Sequence, residues 1–186
     1  MEWTIPGTTL QVDRVEADRT EEKFRSMFLA GGMVLGQVAQ ITGLEPYTIQ
    51  NWVKRGFLPP PTNRRYTLSQ LCRVIQINML KNALSLETVC DLLTYINGKL
   101  DESSDDIIDD ATLYFLFVRL AARARELESP QMRSAALEEA LAAYTEPVPG
   151  AKARIEKALQ IMLTAWLAAR MRQTAERMLN ETIYIQ

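Results

Sequence analysis

Apolar positions recur at steps of three and four through most of this chain, in runs separated by glycine, proline or clustered acids. That period keeps one face of a helix buried. Leu35, Val38, Ala39 and Thr42 share a face, and beyond Gly43 so do Ile49, Trp52 and Val53. Gly43 suits a tight turn between two short helices, and Pro46 suits the first helical position, where no N–H is needed. The pattern predicts a helix-turn-helix. Two further helices are expected over Thr67–Asn82 (Leu68, Leu71, Cys72, Ile75, Met79) and Ser85–Leu100 (Val89, Leu92, Leu93, Ile96). Ser85 is a good cap for the second, and Glu87 in its first turn suits the helix dipole. Ala111–Leu127, the alanine-rich Gln131–Tyr144 and the long Ala151–Glu181 follow, divided by Pro130 and by Pro147-Val148-Pro149-Gly150. At 1.5 Å per residue the last helix would be about 45 Å long. Its stripe is Ile155, Leu159, Met162, Leu163, Trp166, Leu167, Met171, Met178 and Leu179, with heptads too imperfect for an extended zipper. At the other end, Trp3, Ile5 and Leu10 flank Pro6-Gly7 in an extended arm. Phe24, Met27 and Phe28 then mark a helix starting near Asp18 and ended by Gly31-Gly32. The expected fold class is all-α.

With Ile49, Trp52 and Val53 turned inward, a rotation of about 100° per residue puts Tyr47, Gln50, Asn51 and Lys54 on the opposite side of their helix. Gln and Asn can pair bidentately with adenine, and Lys can reach guanine or phosphate. An ordinary solvated helix face reads the same way, so this helix alone does not decide. Phe57-Leu58-Pro59-Pro60-Pro61 cannot continue a helix, because its prolines remove donors and lock φ. Thr62-Asn63-Arg64-Arg65-Tyr66 then makes a basic, turn-rich tip, suited to a wing lying along a phosphate backbone. The plain alternative is a rigid surface loop.

The stretch Leu35–Leu93 resembles the DNA-binding domain of MerR-type regulators. Their pattern is a helix-turn-helix, a Gly-Leu-Leu-Pro junction, a wing ending in Arg-Tyr and two more helices. Here the order is Gly56-Phe57-Leu58-Pro59, Arg65-Tyr66 and Ser85-Leu86-Glu87-Thr88-Val89. A closer resemblance is to an uncharacterised branch, the domain of unknown function 1836, at Asn51-Trp52-Val53-Lys54, Leu58-Pro59, Arg65-Tyr66 and the Leu80-Lys81…Leu84-Ser85 junction. These motifs cover about a third of the chain, and their order is more specific than any one of them. The resemblance implies DNA binding, with Gln50, Asn51, Arg64, Arg65 and Tyr66 at contact positions. It also implies a MerR-like winged helix-turn-helix over 35–100, preceded by an arm and helix over 1–34. A helical dimerisation or sensing domain over 111–186 would follow. The wing is shorter than usual, Glu45 stands where a serine-type cap is common, and Asn51-Trp52 replaces a tyrosine pair.

The formal net charge is −2, which by itself does not suggest a nucleic-acid binder. Between Leu35 and Asn82, however, six basic residues (Lys54, Arg55, Arg64, Arg65, Arg73, Lys81) face a single acid, Glu45. A local basic patch matters more to DNA than the whole-chain sum. The acidic run at 101–110 reads as a solvated linker; a calcium loop would need a central glycine, and the run has none. Cys72 and Cys90 sit beside aliphatics and read as buried free thiols, which with no secretion signal places the chain in the cytoplasm. With no histidine in the chain, a Cys/His metal site is not expected, nor is a cofactor. No apolar run is long enough to span a membrane. Tyr114, Phe115, Phe117, Met162 and Trp166 are candidates for a small-molecule pocket, although stripes at helical spacing are more often plain core.

Three function classes compete. The first is a sequence-specific DNA-binding transcriptional regulator. It would act as a homodimer, with helix 46–55 in the major groove of double-stranded DNA and wing 59–66 on the backbone. An unidentified small-molecule effector is a further candidate partner. The second is a protein-interaction module on a winged-helix scaffold without DNA affinity, favoured by the acidic total and by Glu45. The third is an enzyme, which is not expected, because the chain offers no histidine, glycine-rich phosphate loop or nucleophile motif.

Overall fold

The computed structural model describes residues 2–98, 100, 106–124, 127 and 129–183. The N-terminal arm is a hairpin. Strands β1 (Glu2–Thr4) and β2 (Gln11–Asp13) pair antiparallel with Trp3 opposite Val12. The Ile5 N–H donates to Leu10 C=O at 2.9 Å and the Thr8 N–H to Ile5 C=O at 3.1 Å, closing the turn around Pro6-Gly7. A 3-10 turn (Arg14–Arg19) leads into α1 (Thr20–Met27), whose Phe24 is buried. A second ladder pairs β3 (Met33–Val34) with β4 (Arg65–Tyr66). The all-α expectation therefore becomes mostly α with two small antiparallel ladders. Strands of two and three residues are too short to leave an alternating signature.

Helices α2 (Leu35–Thr42) and α3 (Pro46–Lys54) are the two short helices expected from the apolar spacing, with Gly43 left-handed at φ 68° between them. The next helix, α4 (Leu68–Leu80), starts in a reciprocal cap. Thr67 accepts the Gln70 N–H at 3.2 Å, and the Gln70 side-chain oxygen accepts the Thr67 N–H at 2.8 Å. This helix is the axis of the core. Leu71, Cys72, Val74, Ile75, Ile77, Met79 and Leu80 are buried around its circumference. A helix apolar all round needs neighbours on every side. They are α2, α5 (Leu86–Asn97), α6 (Asp110–Ala122) and α8 (Ala151–Ile183), while α7 (Pro130–Ala140) packs on α6 and α8.

Helices α6, α7 and the first part of α8 thus join the same core as α2 and α3, which is continuous from Trp3 to Trp166. Residues 101–105 of the acidic run lie outside the described residues. The end of that run is not a solvated linker. Ile107 and Ile108 are buried, Asp109 caps α6 by accepting from the Ala111 and Thr112 N–H groups, and the Asp110 carboxylate is buried beside Arg73. Counting carboxylates hid the two isoleucines that draw this segment inward. Of the aromatic candidates for a pocket, Tyr114, Phe115 and Phe117 are core, while Trp166 is packed on Phe117 and also lines a cleft. Phe24, Tyr114 and Phe115 pack with ring centroids 5.4–6.2 Å apart, and Phe117 meets Trp166 edge-on at 5.9 Å. The long helix divides in two. Its stripe is buried as far as Ala169, whereas Met171, Met178 and Leu179 are exposed. No helix among the described residues is long and apolar enough to cross a membrane.

Candidate nucleic-acid interface

Ile49 and Trp52 seat α3 in the core, Val53 is half-buried, and Tyr47, Gln50, Asn51 and Lys54 project from the other side, Tyr47 at 71% exposure. The expected face therefore forms. Glu45 lies just before the helix, exposed and making no side-chain cap, so its carboxylate stands next to that face.

The segment expected to be a wing is a short hairpin. Its tip, Thr62–Arg65, closes through an Arg65 N–H to Thr62 C=O bond of 2.9 Å. The two central residues, Asn63 and Arg64, both have positive φ, 50° and 61°. That pair of conformations matches the twist of the flanking strands and ordinarily calls for Asn-Gly. Asn63 tolerates it, while Arg64 bears a backbone penalty of roughly 1–2 kcal/mol that glycine would avoid. Two supports hold the hairpin. The Gln70 amide donates to Pro60 C=O at 2.9 Å, and Arg65 Nη1 donates to Gly32 C=O at 2.7 Å. A Cβ on Gly32 would come within 2.7 Å of Tyr66 O, so only glycine lets β3 lie this close to the wing.

Between α3 and the wing lies a cleft of about 660 Å³, with Gln50 and Lys54 on one wall and Arg64 on the other. Its floor is apolar: Val34, Leu35, Val53, Pro61 and Tyr66. Tyr66 is here the exception among the expected contact residues. It is only 3% exposed, its phenol is pushed above the usual value by burial, and it contributes to the apolar floor of the cleft at the base of the hairpin. The opposite register of β4 decides this, because Arg65 and Tyr66 must point to opposite faces. Val34, Leu35 and Gly36 are wall residues that carried no chemical signature in the sequence.

The charge count also overstated the patch. Arg55 is turned toward α5, where it meets Glu87 at 2.6 Å and covers the Phe57 ring at 4.4 Å. Arg73 is buried, and the Lys81 ammonium stands 5.6 Å over the Trp52 ring with its pKa lowered by burial. Of the six cations in this stretch, Lys54, Arg64 and Arg65 are left on the α3–wing surface.

Cys72 is fully buried, and burial pushes its thiol well above the usual range; Cys90 is half-buried and raised in the same sense. A thiol held protonated is a poor nucleophile. In native protein at neutral pH, iodoacetamide should leave Cys72 unmodified and label Cys90 slowly, with both reacting at once in urea. Rapid native labelling of Cys72, read by peptide mass spectrometry, would contradict this burial.

Comparison with known proteins adds family membership. No solved structure matches the chain. A relative from Bacillus subtilis (strain 168), described as uncharacterized protein YkrK, is 25% identical over 116 residues, which are 60% of this chain and 50% of that protein. The chain therefore spans about half the length of that relative. The model of the family described as domain of unknown function (DUF1836) matches residues 5–117, from the β1–β2 turn into α6, and the chain belongs to that family.

Proposed function

We propose that this chain is a sequence-specific DNA-binding regulator with a MerR-like winged helix-turn-helix. In this reading α3 enters the major groove and the wing at 59–66 lies on the phosphate backbone. The observation that carries the reading is the pairing of two surfaces across one cleft. An exposed α3 face with Gln50, Asn51 and Lys54 stands beside a hairpin tip that keeps Arg64 in a left-handed conformation. A residue held in an unfavourable backbone region points to a use for its side chain. Amides on a helix can read base edges, and guanidiniums on a wing can hold phosphates. Homodimerisation belongs to the same proposal. Met171, Met178 and Leu179 are exposed on the free half of α8, an apolar surface suited to a second copy.

The test is binding of the full chain to mixed genomic fragments at two salt concentrations, followed by sequencing of the bound fragments. Arg64→Ala should weaken binding to all sequences and flatten the log–log salt dependence by roughly one unit, because one phosphate contact releases its counterion. Arg64→Gly separates charge from backbone: it should lose the same unit of slope while stabilising the fold slightly. A salt slope identical to wild type in both variants would remove the wing from the interface. The apolar floor of the cleft favours a second reading, a protein-interaction module. Failure of the intact chain to bind any duplex at low salt would select it.

A further inference from the structure

A second cleft, of about 700 Å³, opens between the β1–β2 hairpin, the end of α4 and α8. Its size falls within the range of small-molecule sites. Three guanidiniums line it, from Arg14, Arg170 and Arg177, and Glu2 is the one acid on its walls among the described residues. That is a local excess of positive charge in a chain of net charge −2. Two of the arginines are stacked on indoles, which orients their planes: Arg14 lies 5.9 Å from the Trp3 ring centroid and Arg170 lies 4.8 Å from that of Trp166.

The hydrogen-bond inventory is lopsided in the same direction. Trp3 is 94% buried on the wall (6% exposed), yet its indole Nε1–H has no acceptor, and neither has the buried Arg14 Nε–H. A buried unpaired donor is costly, so two at one wall ask for acceptors. The opposite wall is fixed. The Asn78 amide donates to Gly7 C=O at 3.0 Å and to Thr42 C=O at 2.8 Å, clamping the hairpin turn to the end of α2. Tyr114 Oη donates to Pro6 C=O at 2.8 Å from beneath. The cleft is therefore preformed, cationic and rich in donors.

We propose that this cleft binds a small organic anion carrying a phosphate or paired carboxylates. The experiment uses the full chain, citrate, adenosine monophosphate and neutral adenosine as probes, and sodium chloride at matched ionic strength as the control. Isothermal titration calorimetry should show saturable one-to-one binding of citrate or the monophosphate and none of adenosine. Arg177 is exposed on α8, so Arg177→Glu leaves the fold intact and should weaken that binding by about tenfold or more, the loss of a charge-assisted contact and its replacement by repulsion. Arg14→Gln should weaken it as well, with thermal melting without ligand as the check on folding. The proposal falls if neither anion binds saturably, if adenosine binds as well as its phosphate, or if Arg177→Glu leaves affinity unchanged. It falls equally if Arg177→Glu abolishes binding of duplex DNA while the anions bind as before, since the arginines would then belong to a DNA surface. No arm of the anion titration contains DNA, so failure of the DNA reading leaves this result standing.

Discussion

Asp110→Ala is expected to destabilise the fold by about 3–5 kcal/mol, measured by urea unfolding followed by tryptophan fluorescence, the penalty for leaving a buried charge without its partner. The stranded charge would be Arg73, whose side chain is 4% exposed and whose Nη1 lies 3.3 Å from Asp110 Oδ2. Asn97 also donates to this carboxylate at 3.3 Å, and Gln76 donates to the Asp110 C=O at 3.0 Å. Arg73 reaches the other way too, donating from Nε to Phe57 C=O at 3.1 Å, where α3 passes into the wing. The same ion pair thus ties the start of α6 to the segment after α3 through α4. Replacing both partners by Arg73→Met with Asp110→Leu should recover most of the loss, because apolar residues of similar volume in place of a buried pair are often neutral. An Asp110→Ala variant with wild-type stability would mean that the pair is solvated and of little consequence.

Acidity gives an independent view of the pair. Burial pushes the Asp110 carboxyl above its ordinary 3.8, with Arg73 pulling the other way and offsetting only part of it. A raised carboxyl binds its proton in the folded chain at pH values where the unfolded chain has already released it. The stability due to this group is then complete below the unfolded pKa and is lost as pH rises through the folded one. Urea titrations across the acid range should show that falling limb in the wild type and its absence in Asp110→Asn.

Asn51→Ala is expected to lower affinity for the selected DNA site by about 1–3 kcal/mol, to relax preference at one or two base pairs and to leave the salt slope intact. The side chain is an exposed neutral amide on the face of α3 that the cleft leaves open. It can make paired bonds to an adenine edge, and its loss releases no counterion. If the site is read by a dimer through the free half of α8, the selected sequence should be an inverted repeat with half-sites spaced by whole helical turns. Uniform weakening on all duplexes would move Asn51 from base reading to backbone contact, and the division of roles between α3 and the wing would be wrong.

Helix position was legible because helix faces are a local property. The period of Ile49, Trp52 and Val53 was enough to orient Tyr47, Gln50, Asn51 and Lys54 outward, and Ser85 and Pro46 mark their helix starts as caps and first-turn residues do anywhere. Burial of Cys72 followed from aliphatic neighbours in the same way, whereas Cys90, expected to be buried too, is only half-buried. What the local pattern could not supply was pairing between distant segments. Tyr66 became core because β4 takes its register from β3, far earlier in the chain, and Arg55 and Arg73 left the basic patch for acids on α5 and at the start of α6. The acidic run turned inward for the same reason: a carboxylate is solvated or buried according to what the fold sets opposite it, and Arg73 stands 37 residues from Asp110. The cationic cleft of Arg14, Arg170 and Arg177 has no trace in the linear order, since its walls come from both ends of the chain. Local spacing along the chain sets which faces are apolar; contact between distant segments sets which charges remain on the surface.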